Sequence, residues 1–177
     1  MSYVLTAYLV DLGDLKSVIG SKDPAVIQAV EAAISEAYED DEDEVIAQKA
    51  ALRRLIMGEP LNRGNAPQYG CVLWDICRLK GEELLPDYWG GVRWDAVEAC
   101  GLQDLLTKTG PPVELPPNRD IPSIGHIRRD NITPYLQAAE TLKAKTKDNG
   151  VLELLGEYIG WLEIAVRKNK DIVFFYG

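Results

Sequence analysis

The sequence predicts an α+β fold: a predominantly helical single domain spanning residues 1–177, with a small sheet containing the N- and C-terminal strands. Three observations predict it. An apolar run rich in aromatic and β-branched residues opens the chain (Tyr3–Leu12, YVLTAYLVDL), a second closes it (Asp171–Tyr176, DIVFFY), and helical periodicity dominates between them. A strand at each end most simply pairs with the other. A chain of 177 residues suffices for one core that buries about 70% of its unfolded surface.

The helix expected to cover that pair is Val151–Val166 (VLELLGEYIGWLEIAV). Leu152, Leu155, Ile159, Leu162 and Val166 form one apolar stripe; Val151, Leu154, Tyr158, Trp161 and Ala165 form a second. A surface helix has one stripe of about 100°, so two predict a helix covered over most of its circumference. Gly156 and Gly160 each cost about 1 kcal/mol relative to Ala, which predicts a close backbone approach as compensation. At roughly 16 residues, and with Glu153, Glu157 and Glu163, the segment is too short and too charged to span a bilayer.

The remaining elements follow in order. A short helical turn is expected around Asp14 to Ile19, stopped by Gly20. Asp23 followed by Pro24 is a cap-then-proline start, and Val26, Ile27, Val30, Ala33, Ile34, Ala37 and Tyr38 mark one face of the helix after it. The next helix runs from about Glu44 to Met57, with Val45, Ile46, Leu52, Leu55 and Ile56 inward, and Gly58 and Pro60 end it. Pro67 opens another, with Tyr69, Val72, Leu73, Ile76 and Cys77 inward and Gly81 past its end. Leu84 to Gly91 reads as an aromatic loop, and helices are expected over Val92–Ala99 and Leu102–Lys108. Gly110 to Gly125 holds Pro111, Pro112, Pro116, Pro117 and Pro122, half of the chain's 10 prolines, which excludes a helix and a central strand. It is expected to be an extended crossover, or a lid or binding loop. Thr133 and Pro134 start the penultimate helix.

Charge is unevenly spread. Residues 1–118 hold 10 Lys/Arg against 20 Asp/Glu, and residues 119–177 hold 9 against 8, which together give the net charge of −9. Glu36, Glu39, Asp40, Asp41, Glu42, Asp43 and Glu44 account for most of it; without these seven the charge would be −2. Nucleic acid is disfavoured as a partner because phosphate binding needs a basic surface, whereas a basic protein is electrostatically permitted. The run is no EF-hand, which needs spaced oxygens and a glycine at its sixth position. It reads as a solvated junction that favours the start of the next helix, as a docking face that mimics polyanion, or as a weak divalent-cation binder. The absence of a leader, lipidation signal or apolar span predicts a cytoplasmic protein without membrane attachment.

No cofactor or metal is expected. Cys71, Cys77 and Cys100 form no CxxC, Cys71 and Cys77 lie about 240° apart on a helix, and His126 is the single histidine. Packing is the expected role of all three thiols. His126 lies beside Arg128 and Arg129, so a general base next to an anion clamp is conceivable there. Yet no nucleophile elbow, P-loop or dinucleotide fingerprint accompanies it. Trp74 and Trp94 occupy helical positions expected in the core, while Tyr88 and Trp89 beside Gly90 and Gly91 are expected to be exposed recognition residues.

The run Q-Y-G-x6-C-R-x2-G, formed by Gln68, Tyr69, Gly70, Cys77, Arg78 and Gly81, resembles a family of uncharacterised bacterial proteins of about this length. Met1-Ser2-Tyr3 with Asp11-Leu12, and the proline-rich Leu115–Pro117 and Pro122–Gly125, resemble it too. The dense acidic run departs from the family's pattern. The resemblance implies no activity and assigns no catalytic residue. The expected function is therefore a cytoplasmic protein-binding module of the immunity or antitoxin kind. It would use Glu39, Asp40, Asp41, Glu42, Asp43 and Glu44, with Tyr88 and Trp89, against a basic protein partner. The alternative is an enzyme or small-ligand-binding protein with its site near His126, Arg128, Arg129 and the 111–125 proline-rich segment.

Overall fold

The computed structural model describes residues 4–38, 41–84, 94–118 and 122–177, the side chain of Trp94 excepted. Glu39, Asp40, Tyr88 and Trp89 lie outside the described residues. The sheet has four strands: β1 (Leu5–Val10), β2 (Glu82–Leu84), β3 (Ser123–Ile127) and β4 (Asp171–Tyr176), in the order β2-β1-β4-β3 and antiparallel throughout. The terminal strands pair as the sequence predicts, from Leu5 opposite Tyr176 to Val10 opposite Asp171. Both are buried along their whole length.

That complete burial explains why neither central strand alternates apolar with polar residues: helices cover both faces of the sheet. On one face Tyr8, Val10, Val173 and Phe175 pack against α1 (Leu12–Val18), α2 (Pro24–Ala37), α3 (Glu42–Met57) and α4 (Ala66–Lys80). On the other, Leu5, Ala7, Leu9, Ile172, Phe174 and Tyr176 meet α5 (Trp94–Ala99), α6 (Leu102–Asp104) with the wide turn Leu105–Thr109 that continues it, α7 (Ile132–Lys143) and α8 (Asn149–Lys168). The period of two along each strand thus feeds two cores instead of a core and a solvent face.

The helices begin where local chemistry starts them. Asp23 accepts from the Ala25 amide with Pro24 at the first helical position, Asp41 accepts from the Glu44 amide, and Asp148 accepts from the Val151 amide. Asp41 moves the start of α3 to Glu42, two residues ahead of the expected Glu44. Among the described residues no helix is long and apolar enough to cross a membrane.

Three expectations need correction. Ile46 and Val166, expected inward, are exposed; the inner face of α3 is formed by Gln48, Ala51, Leu52, Leu55 and Ile56. Among the described residues the expected backbone approach at Gly156 and Gly160 does not occur: a Cβ at Gly160 would meet none of them within 4 Å, and one at Gly156 only the Lys143 Nζ at 3.7 Å. Finally, the proline-rich stretch is irregular only as far as it is described, to Asn118; Ser123 to Gly125 belong to β3. Pro122 stands just before this strand and β3 is an edge, so the sheet loses no central hydrogen bond to proline. Gly125 is required there, because a Cβ would stand 2.7 Å from the Leu105 carbonyl oxygen.

Candidate functional site

Helix α4 carries two working faces. Tyr69, Val72, Leu73, Ile76 and Cys77 are buried in the core, as their spacing predicts. Beside them Cys71, Trp74, Asp75 and Arg78, at i, i+3, i+4 and i+7, share a second face. Gly81 ends the helix against β1: a Cβ there would stand 2.7 Å from the Cys77 oxygen and 2.8 Å from the Leu9 oxygen. Substituting it would push α4 off the sheet.

This second face forms the wall of a pocket of about 260 Å³, closed by Ala37 and Tyr38 at the end of α2 and by Pro122 and Gly177 at the ends of β3 and β4. Trp74 is fixed within it. Its ring stacks on Phe175 with centroids 5.0 Å apart and planes 13° from parallel, and its Nε1 donates to the Tyr8 hydroxyl at 3.1 Å. Half-buried and braced in this way, Trp74 presents a rigid aromatic surface.

Asp75 is the unusual group. It is only 7% exposed, yet among the described residues its carboxylate makes no hydrogen bond and has one ion contact, to Arg78 Nη1 at 3.7 Å. A carboxylate removed from water with so little in return resists ionisation, and burial pushes its pKa up to about 6, with Arg78 pulling the other way. Cys71 is pushed the same way: burial, with Glu44 and Asp75 adding their repulsion, raises its thiol to about 11. It is a protonated thiol at neutral pH and no nucleophile. Burial also raises the Tyr38 hydroxyl, against the Gln48 amide. Gln48 is wholly buried, donates through Nε2 to Glu44 at 3.0 Å, and leaves its Oε1 without a hydrogen-bond partner among the described residues.

A larger pocket of about 390 Å³ adjoins the first through Pro122. Ala66 and Gly70 of α4, Leu106 and Thr107, and the proline-rich segment line it. The 111–125 segment therefore does border a cavity, but the residues expected to work with it do not. His126 turns its Nδ1 to the Gly110 carbonyl at 2.9 Å, and its amide donates to Thr109 Oγ1 at 3.0 Å. Arg128 is exposed, 3.7 Å from Asp130. Arg129 is a tie between elements: its amide donates to Asp171 Oδ1 at 2.7 Å, and its Nη2 lies 2.7 Å from both Asp171 Oδ2 and Asp11 Oδ2. Asp171 also accepts from the Leu12 amide at 2.9 Å, so the start of β4, the end of β1 and the segment after β3 are joined through one guanidinium. The three side chains do not converge on either pocket.

Of the acidic run, Asp41 caps α3, and Glu42, Asp43 and Glu44 fill its first turn, where the helix dipole favours negative charge. Asp41, Glu42 and Asp43 are exposed; Glu44 is half-buried, close enough to act on Cys71 and Tyr38. Among the described residues no three His, Cys, Asp or Glu groups come together as a metal site. From the sequence Cys71 and Trp74 are expected to serve packing and the core, and Asp75 draws no functional reading. Asp75 was nevertheless signalled there: it is an acidic residue directly beside the apolar stripe of α4, one position before Ile76.

The model of the family described as "Domain of unknown function (DUF7691)" matches residues 1–177. The chain belongs to that family. This agrees with the resemblance to an uncharacterised family drawn from the sequence. No curated protein and no solved structure matches the chain.

Proposed function

We propose that the chain is a small-ligand-binding domain whose site is the pocket on α4. One observation carries this reading: the Asp75 carboxylate is buried, without a hydrogen bond among the described residues, in the wall of a cavity that is otherwise mostly aromatic or apolar, with Cys71 and Arg78 the other polar lining residues on α4. Ligand sites are concave and mostly apolar, with a few polar groups that fix orientation, and a perturbed titratable group in such a cleft marks a functional site. At about 260 Å³ the cavity lies just below the usual range for drug-sized ligands, so it suits a smaller molecule. Asp75 could move a proton near neutrality, but with Cys71 held protonated the described pocket offers no activated nucleophile. Binding therefore accounts for more of the site than catalysis does. The three unpaired cysteines suit a reducing compartment such as the cytoplasm.

The test is a fragment screen followed by NMR shift mapping on the wild type and on Ala37→Trp. Ala37 is exposed and borders the pocket, so tryptophan there fills the cavity without entering the core. Binders should move the resonances of Tyr38, Trp74 and Asp75 and lose affinity at least tenfold in the filled variant. Binders that map elsewhere and ignore the substitution would defeat the proposal.

A second reading keeps the acidic face as a docking surface for a basic protein. It is favoured by Asp41, Glu42 and Asp43, which are exposed and form no ion pair among the described residues. Changing them to Asn, Gln and Asn should slow association with a partner recovered from the host and flatten its salt dependence, leaving dissociation nearly unchanged. Equal association rates at low salt would remove it.

A further inference from the structure

We infer that the ligand of the α4 pocket carries a positively charged nitrogen, seated beside the Asp75 carboxylate with its apolar body against Tyr38 and Trp74. The inference rests on the pocket being a ligand site and names the class of ligand. The charged and titratable groups around Asp75 decide the sign. From α4 itself come Cys71, a neutral thiol, and Arg78; from the end of α2 comes the Tyr38 hydroxyl; from the first turn of α3 comes Glu44. Arg78 is the one cation among the described lining residues, and it is already shared. It approaches Asp75 no closer than 3.7 Å, is itself half exposed, and is engaged by the Tyr8 hydroxyl and by Glu83. An anion would thus meet Asp75 in the wall, with Glu44 beyond Cys71 and Tyr38, and a single, divided cation to receive it.

The hydrogen-bond inventory points the same way. Among the described residues the polar groups left without a hydrogen bond here are acceptors: the Asp75 carboxylate in the wall and, buried behind it, the Gln48 Oε1. An ammonium brings three donors and no acceptor. The aromatic part fits as well. A cation near the face of a tryptophan or tyrosine gains from the ring quadrupole, and more so where water is excluded. Trp74 cannot turn away, because Phe175 and Tyr8 hold it.

Three probes of matched shape and different charge separate the possibilities: benzylamine, benzyl alcohol and benzoate, titrated at pH 8 into the wild type, Asp75→Asn and Ala37→Trp, with NMR mapping of the bound site. Benzylamine should bind in the pocket at least tenfold more tightly than the other two, lose about tenfold in Asp75→Asn, and be excluded from Ala37→Trp. If benzyl alcohol or benzoate binds at the same residues as tightly as benzylamine, the cation is wrong while the ligand site stands. Benzylamine binding that is unchanged in Asp75→Asn also overturns the inference. If none of the three moves the pocket resonances at millimolar concentration, the inference and the binding reading on which it rests both fall.

Discussion

Replacing Asp75 by asparagine should stabilise the protein in a pH-dependent way, and the magnitude follows from the burial of this one carboxyl. Its pKa is about 6 in the folded chain against an ordinary 3.8. Between these values the native state holds a proton that the unfolded chain has released, so stability falls as pH rises through them. Integrated from pH 4 to pH 8, the ionised carboxylate costs the wild type about 2.5 kcal/mol. Asparagine does not titrate. Its buried amide carries its own desolvation cost, about 1–3 kcal/mol, but that cost is the same at both pH values and cancels from the comparison. Urea unfolding of wild type and Asp75→Asn at pH 4 and pH 8 gives four free energies. The advantage of the variant should grow by about 2.5 kcal/mol between the two conditions. A difference that stays constant within about 0.5 kcal/mol would show that Asp75 is well solvated or fully paired in solution. It would then remove the physical basis of the pocket as a site.

Three further outcomes are expected. Gly160→Ala adds a methyl group to open space on a helix and should raise stability by about 1 kcal/mol in denaturant unfolding. Gly125→Ala drives a Cβ to 2.7 Å from the Leu105 oxygen and should cost at least 1–3 kcal/mol, and equal effects of the two substitutions would contradict the packing described. Asp171→Asn should show the opposite pH sign to Asp75. Burial raises the pKa of Asp171, but hydrogen bonds from the Arg129 side chain and from the Arg129 and Leu12 amides outweigh it and hold the carboxyl below its ordinary 3.8. The stability it contributes is present above that value and lost as pH falls through the folded pKa. Thermal melts from pH 7 to pH 2 should show the variant less stable at neutral pH, with the gap closing in acid; a gap that widens in acid would refute the clamp.

Local and periodic features were legible in the sequence. The two terminal strands, the Asp23-Pro24 start, the inner face of α4 and the long α8 rest on short-range chemistry and side-chain spacing, which a linear chain displays directly. What depended on distant partners was not. β3 is a strand because β4 offers it hydrogen bonds, and its five residues carry no pattern strong enough to announce that. Gly156 and Gly160 read as packing glycines, but whether a neighbouring backbone fills their side is a tertiary matter, and among the described residues none does. Arg129 reads with Arg128 as an anion clamp beside His126, because the three lie in one short segment. In the fold it instead spans from β4 to Asp11, at the other end of the sequence, leaving His126 on Gly110. The pocket shows the division most plainly. Once α4 is a helix, 3.6 residues per turn puts Cys71, Trp74, Asp75 and Arg78 on one flank of it. Only the tertiary structure brought Tyr38, Pro122 and Gly177 against that flank and enclosed Asp75 without a hydrogen-bond partner among the described residues. Desolvation depends on everything that surrounds a group, and no stretch of sequence contains its own surroundings.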